Sequence, residues 1–298
     1  AMPLTSTWRG TGISSILSLP PKGNGHPSLL LFLILFSAAA CGITGPAATD
    51  AAGPEGGDLR VLFIGASYLA VNNLPGLFAG MAEVGNKQVY VAKRVQSGFY
   101  LDYFAVDQAT SRAIQDHEWD YVILSGGCQT AAYPNTHYLI KEDWGNHNPL
   151  PALKRFREKV SASNPDAKLV YIMPWAFEDG MTWIPGQEDD YFAMQDSIRT
   201  HALAWADSLD LVVSPVGMAW KAIMESGVPE HYLHEGDWNH PNPRGSFLSA
   251  ATLYATVFKE TAGNLGIHWI LDEEEARVLL QVGSTAVLDS LALWNITP

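Results

Sequence analysis

Ser67, in Gly65-Ala66-Ser67-Tyr68, and the later block Asp237-Trp238-Asn239-His240 supply the residue types that acyl transfer requires. A serine hydroxyl is a poor nucleophile until a base takes its proton, and histidine is the usual base. That imidazole needs a carboxylate on its other nitrogen, to fix the tautomer and stabilise the imidazolium. Asp237 and His240 stand three apart in a stretch bounded by Gly236, Pro241, Pro243 and Gly245, so one rigid turn supplies both partners. Each piece also has a plainer reading. A serine ahead of a helix commonly serves as its N-cap, and a solvated loop carries Asp and His without chemistry.

The elements that must position these groups alternate short apolar runs with longer amphipathic ones. Arg60–Gly65, Lys87–Val95, Asp120–Ser125, Lys168–Pro174 and the shorter Leu211–Ser214 are rich in Val, Ile, Leu, Tyr and Phe and read as strands. Near-continuous apolar strands belong to a sheet covered on both faces, hence a parallel one. Tyr191, Met194, Ile198, Ala202, Trp205 and Leu209 form one helical stripe, and Phe247, Ala250, Tyr254, Val257 and Phe258 form another. Pro149–Ser161 predicts a helix between the third and fourth strands. Asp272 caps a last helix, whose first turn carries Glu273, Glu274 and Glu275. The sum is one three-layer α/β/α domain of the flavodoxin-like class over about residues 59–298, with a five-stranded parallel sheet in the order 2-1-3-4-5. Ligands of such sheets bind outside the carboxyl ends of the strands, and Ser67 follows the first.

Together the two blocks resemble the SGNH (GDSL-type) hydrolase superfamily, which places its serine after the first strand and a D-x-x-H near the C-terminus. The nearest likeness is to a bacterial branch whose first block reads like IGNSYT followed by N and LP. In this chain it is Ile64-Gly65-Ala66-Ser67-Tyr68, with Asn72, Asn73, Leu74 and Pro75 following. Asp237, His240, Gly245 and the helix beyond match the last block, and the resemblance spans about residues 60–262. It implies the SGNH fold and an esterase in which Ser67 attacks, His240 is the base and Asp237 orients His240. It also implies three oxyanion donors: the Ser67 N–H, a glycine N–H matched by Gly98, and an asparagine side chain after the third strand. There the sequence reads Ser125-Gly126-Gly127-Cys128-Gln129, with Gly127 where asparagine is expected and Gln129 as the candidate substitute. Losing one such donor costs about 10²–10³ in rate, which weakens catalysis more than it abolishes it. A standard α/β-hydrolase fits poorly, because its elbow is G-x-S-x-G and position 69 is Leu.

Other constellations point elsewhere. His231, His234, Asp237 and His240 recur at intervals of three and are all competent zinc ligands, so a metal-dependent hydrolase is one alternative. That interval aligns side chains only on a helix, whereas Pro229, Gly236 and Pro241 mark the stretch as loop. A second alternative is a non-catalytic carbohydrate-binding surface lipoprotein on the same fold. Of the 10 tryptophans, Trp144, Trp175, Trp183 and Trp238 fall in expected loops, where aromatic faces dock sugars. Trp205 and Trp220 fall on apolar stripes and belong to a core. Glu178, Asp179, Glu188, Asp189 and Asp190 offer carboxylates that a glycoside hydrolase would pair, but acids beside helix starts more often complement the dipole. Cys128 is a lone thiol at a strand end, more often inert than nucleophilic.

Among 298 residues, 31 are acidic and 18 basic, for a net charge of −13. Such a surface repels phosphate backbones and argues against a nucleic-acid partner. Residues 29–36 (LLLFLILF) are fewer than the roughly 20 apolar residues that span a bilayer. With Arg9 and Lys22 upstream, the run suits the core of a signal peptide. Cys41, after Ala38-Ala39-Ala40, stands where a lipoprotein cysteine is acylated, so residues 1–41 read as a signal peptide, either of that type or an ordinary cleaved one. Residues 42–58, small and rich in Gly and Pro, read as a flexible linker. The expectation is an exported esterase, periplasmic, secreted or at the cell surface. It cleaves small acyl esters, carbohydrate esters included, needs no cofactor, and meets a membrane only through a lipid anchor at Cys41.

Overall fold

Val61 through Ile64, Val122 through Leu124 and Leu169 through Ile172 are buried without interruption, and strands with no polar face sit only in a sheet covered on both sides. The computed structural model describes residues 59–134, 147–182, 189–227 and 232–297. The expected signal peptide, Cys41 and linker lie outside the described residues. The strands are β1 (Leu59–Gly65), β2 (Val89–Val95), β3 (Tyr121–Ser125), β4 (Lys168–Ile172) and β5 (Val212–Ser214). They pair in parallel in the order β2-β1-β3-β4-β5, the sheet the sequence predicts. β4 is shorter than the apolar run behind it. Met173 N still donates to Ser214 O at 3.0 Å, but Pro174 has no N–H to continue the ladder. β2, at the edge, is mostly half-buried and so carries Lys93 and Arg94.

A single-turn helix, α1 (Ser67–Ala70), follows β1. One helical layer packs α2 (Leu74–Val84), α8 (Val216–Glu225), α9 (Pro243–Phe258) and α10 (Glu273–Leu288) together. The other holds α3 (Leu101–Val106), α4 (Gln108–Gln115), α5 (Cys128–Ala132), α6 (Pro149–Ser163) and α7 (Tyr191–Leu209). α7 covers the predicted stripe, and Asp272 caps α10 by accepting from Glu274 N at 3.0 Å and Glu275 N at 3.3 Å. α9 is buried at every position from Gly245 to Val257. With no water at hand, its hydroxyls bond back to their own helix, Ser249 Oγ to Gly245 O at 2.7 Å and Thr252 Oγ1 to Leu248 O at 2.9 Å. A Cβ on Gly245 would come within 2.5 Å of Leu233 O and of the Trp220 ring, so the start of α9 has no room for a side chain there.

The register sets the stage for the site. Gly65 pairs with Val95 on one side and Ser125 on the other, so the segments leaving β1, β2 and β3 depart from one edge of the sheet. A Cβ on Gly65 would fall 2.8 Å from Ser125 Cβ and 2.9 Å from Leu69 Cδ1, which is why the turn into α1 needs glycine.

Asp107 caps α4 and ties it to the edge strand. Its Oδ2 accepts from Thr110 N at 2.8 Å, Thr110 Oγ1 at 2.8 Å and Arg94 Nη2 at 3.1 Å. The Thr110 bonds foremost, with help from Arg94, lower its pKa to about 2. A carboxyl whose pKa falls on folding stabilises the fold above its unfolded value and loses that contribution as the pH drops through the folded one. Asp107→Ala is therefore expected to lower the unfolding free energy by about 1 kcal/mol at neutral pH. The gap to the parent should narrow as the pH falls from about 4 toward about 2. Denaturant titrations at the two extremes check this, and an undiminished gap in acid would rule the carboxylate out as its source.

Candidate active site

Residue 66 is alanine, so the turn after β1 lacks a side-chain cap, and Ser67 is the first residue of α1 rather than its N-cap. The helix leaves its hydroxyl unused. Ser67 Oγ lies 2.8 Å from His240 Nε2. After α1, Asn72 and Asn73 adopt left-handed backbone angles, φ 55° and 51°, which asparagine tolerates better than most residues. That turn brings Asn72 Nδ2 to the Pro241 carbonyl at 3.1 Å and to Ser246 Oγ at 3.0 Å.

The loop carrying Asp237 and His240 is closed at its base by an antiparallel bridge between His234 and Pro241. Glu235 N donates to His240 O at 2.7 Å and Asn242 N to Leu233 O at 2.9 Å. Within the loop, Asp237 Oδ1 accepts from Asn239 N at 3.1 Å and His240 N at 2.9 Å, while Oδ2 meets His240 Nδ1 at 2.6 Å. A carboxylate only accepts, so Nδ1 carries the proton and Nε2 turns its lone pair to the Ser67 hydroxyl. Partial burial pushes the Asp237 carboxyl up, but hydrogen bonds from the His240 ring and two main-chain N–H groups outweigh it, holding the group below its ordinary value. Asn242 then caps α9 by accepting from Gly245 N at 3.1 Å.

The neighbours of the reacting pair are joined as well. The Tyr68 hydroxyl donates to Asn239 Oδ1 and lies 3.1 Å from Cys128 Sγ. Trp175 Nε1 donates to Asn239 O at 2.8 Å. The Trp175 ring stacks on Trp220, with centroids 4.2 Å apart, and meets the Tyr68 ring at 4.4 Å and a 30° tilt, and all three are buried. Burial drives the Tyr68 hydroxyl well above its ordinary pKa, so it stays neutral and donating.

Ser67 lines a cleft of about 120 Å³, together with Gly98, Phe99, Tyr100, Gly126, Gly127, Gln129 and Asn239. Gly98 has φ +80°, and a Cβ there would meet nothing within 4 Å, so its backbone angle and not packing calls for glycine. Gly127 is the reverse case. A Cβ there would lie 2.8 Å from Gln129 Oε1 and 3.3 Å from Nε2, so the Gln129 amide fills the space a side chain at 127 would enter. Gln129 Oε1 receives the Cys128 thiol at 3.7 Å. Burial raises the Tyr100 hydroxyl pKa, and a hydrogen bond from Gln129 partly offsets the rise. An amide NH₂ carries two donors, and Gln129 lines the cleft.

Ser67, His240 and Asp237 thus meet in one hydrogen-bonded chain, with Gly98 and Gln129 on the same cleft. Tyr68, Asn72 and Asn239 are linking residues whose roles sequence reasoning missed, although Tyr68 and Asn72 stand in the first motif block and Asn239 stands next to His240. The metal alternative loses its geometry. Among the described residues no three His, Cys, Asp or Glu side chains converge. His234 is buried against Trp220, its Nε2 donating to Ala176 O at 3.0 Å, and His231 lies outside the described residues. Trp175, expected on a loop facing sugar, is instead 1 % exposed within the core. Trp205 and Trp220 are buried as expected, Trp238 is exposed, and Trp144, Trp183 and Glu188 lie outside the described residues. Asp190 caps α7, Asp189 accepts from Met181 N at 2.7 Å, and Glu178 is buried. Burial pushes the Cys128 thiol up to about 12, which removes it as a nucleophile.

No family model and no curated protein matches the chain. Among solved structures it is similar to a DUF4886 family protein from Bacteroides uniformis, at 14% identity and TM-score 0.63, over 78% of this chain and 95% of that one. A protein from Slackia heliotrinireducens described as an SGNH hydrolase aligns at 20% identity and TM-score 0.53, over 67% and 99% of the two chains. One from Parabacteroides merdae described as a GDSL-like lipase aligns at 15% and 0.53, over 68% and 97%. The chain has the SGNH-hydrolase fold. At these identities the fold is what is shared.

Within this SGNH fold, Asn72 is the link between the turn after β1 and the start of α9. Asn72→Gly keeps the left-handed backbone and removes the side-chain bonds, so it should lose about 1–2 kcal/mol of stability. Asn72→Ala should lose about 1 kcal/mol more, because alanine resists positive φ. Urea unfolding of the three proteins tests the order, and a glycine variant as stable as the parent would show that the bonds contribute nothing.

Proposed function

We propose that this protein is a serine ester hydrolase acting on short acyl esters, with Ser67, His240 and Asp237 as its catalytic triad. The observation that carries this is the unbroken chain from Ser67 Oγ to His240 at 2.8 Å and from His240 to Asp237 at 2.6 Å, beside a cleft that Ser67 lines. Ser67 Oγ attacks the ester carbonyl carbon while its proton passes to His240 Nε2. The Ser67 and Gly98 N–H groups and the Gln129 amide bind the resulting oxyanion. The imidazolium, stabilised by Asp237, protonates the departing alcohol and leaves an acyl-serine. Water then attacks that acyl group by the same route, giving the acid and restoring Ser67. A cavity of about 150 Å³ admits benzene, so the 120 Å³ cleft favours a small acyl group. The sequence before residue 59 supports export as part of the proposal.

Hydrolysis of 4-nitrophenyl acetate by the parent and by Ser67→Ala tests it. The variant should lose at least about 10⁴ in kcat while keeping the parent's circular dichroism. Equal turnover by both would end the triad assignment.

The oxyanion assignment has its own check. Gln129→Ala should lower kcat by about 10²–10³, and adding Gly127→Asn to that variant should restore part of the loss, since the vacated space accepts the new amide. A Gln129→Ala enzyme with unchanged kcat would remove Gln129 from the hole.

A further inference from the structure

Trp238 is in an unusual position. Its φ of 62° is one a bulky side chain rarely adopts, yet its ring is 58 % exposed, so burial does not reward the strain. Two main-chain bonds hold it there, Trp238 N to Glu235 O at 3.0 Å and Glu178 N to Trp238 O at 3.0 Å. The turn that lets Asp237 bond His240 explains the backbone angle, but it would be met more cheaply by Asn or Gly. The choice of tryptophan needs a different reason.

The ring lines a second cavity of about 470 Å³, shared with Phe177, Asp179, Gly180, Thr182, Asp237 and Asn239. That volume lies within the usual span for small-molecule sites, about 300–1,000 Å³. Its wall is stiff: Gly180, at φ +68°, packs so closely on the Asp190 backbone that a Cβ would come within 2.6 Å. Asn239 lines both this cavity and the cleft over Ser67, so the two spaces share a wall in the loop that carries His240. An aromatic face, an exposed carboxylate at Asp179 and a hydroxyl at Thr182 form a surface with one apolar side and polar edges. A pyranose ring has the matching form, C–H groups on its faces and hydroxyls around its rim. A lipid alcohol would make no use of those polar edges.

We propose that Trp238 is the stacking platform of an alcohol-side subsite that takes an acylated pyranose, with Asp179 accepting a sugar hydroxyl. This rests on the esterase reading above, since it places the sugar as the leaving alcohol.

The experiment compares kcat/KM for methyl tri-O-acetyl-xylopyranoside with kcat/KM for ethyl acetate, in the parent and in Trp238→Asn and Trp238→Phe. Asparagine accepts the left-handed backbone, so the loop keeps its course. The ratio of sugar ester to ethyl ester should fall at least about fivefold in Trp238→Asn, with Trp238→Phe between the two. An unchanged ratio, with both esters slowed alike, would mean that the ring serves the loop and would overturn the platform. Should the parent hydrolyse neither ester, the esterase reading fails by itself. The platform is then decided by tryptophan fluorescence on titration with the same xylopyranoside: saturable quenching lost in Trp238→Asn supports it, and no saturable binding overturns it.

Discussion

The 2.8 Å contact between Ser67 Oγ and His240 Nε2 joins the turn at the carboxyl end of β1 to a loop that precedes α9. Hydrogen bonds weaken over a few tenths of an ångström, while even well-ordered atoms move by about 0.5 Å along each axis. Such a contact persists only if both segments are tied to each other and not merely to their own elements. Tyr68 reaches Asn239, and Asn72 reaches Pro241 and Ser246, so the ties fall on both sides of the reacting pair. Behind them, Trp175 and Trp220 carry the loop onto the buried start of α9, where Gly245 lets the Trp220 ring close in.

The electrostatics follow from the same loop. Asp237 spends one oxygen on main-chain N–H groups of its own turn and the other on His240, so a single carboxylate sets the loop shape, the imidazole tautomer and the charge balance. The buried Tyr68 and Cys128 both have raised pKa values, so both stay neutral behind the Ser67–His240 pair. Asp237 is then the charge nearest the imidazole in its own loop, where an imidazolium would form.

Elsewhere on the cleft, the mechanism proposed above takes its third donor amide from Gln129, on α5, two residues after Gly127. Gly127 has no side chain, and the Gln129 amide occupies the space that one would enter. In that reading the cleft needs a polar N–H at a point in space, and a side chain at either position could reach it.

The five strands, the long helices and their caps were legible in the sequence, because apolar periodicity and terminal Asp or Pro report local physics that acts within a few residues. The α7 stripe from Tyr191 to Leu209 and the Asp272 cap are examples. Ser67, Asp237 and His240 were legible as types and spacing, and the Asp–His bond lies inside one turn. The linking roles of Tyr68, Asn72, Asn239 and Trp175 were not, since each spans a long sequence separation and its partner is fixed only when the sheet is assembled. For the same reason Trp175 and Trp238, alike as loop tryptophans, ended on opposite sides of the surface. Local composition determined which elements form and which groups carry chemistry. Only tertiary packing decided which of those groups touch, because a contact between distant segments depends on every element placed between them.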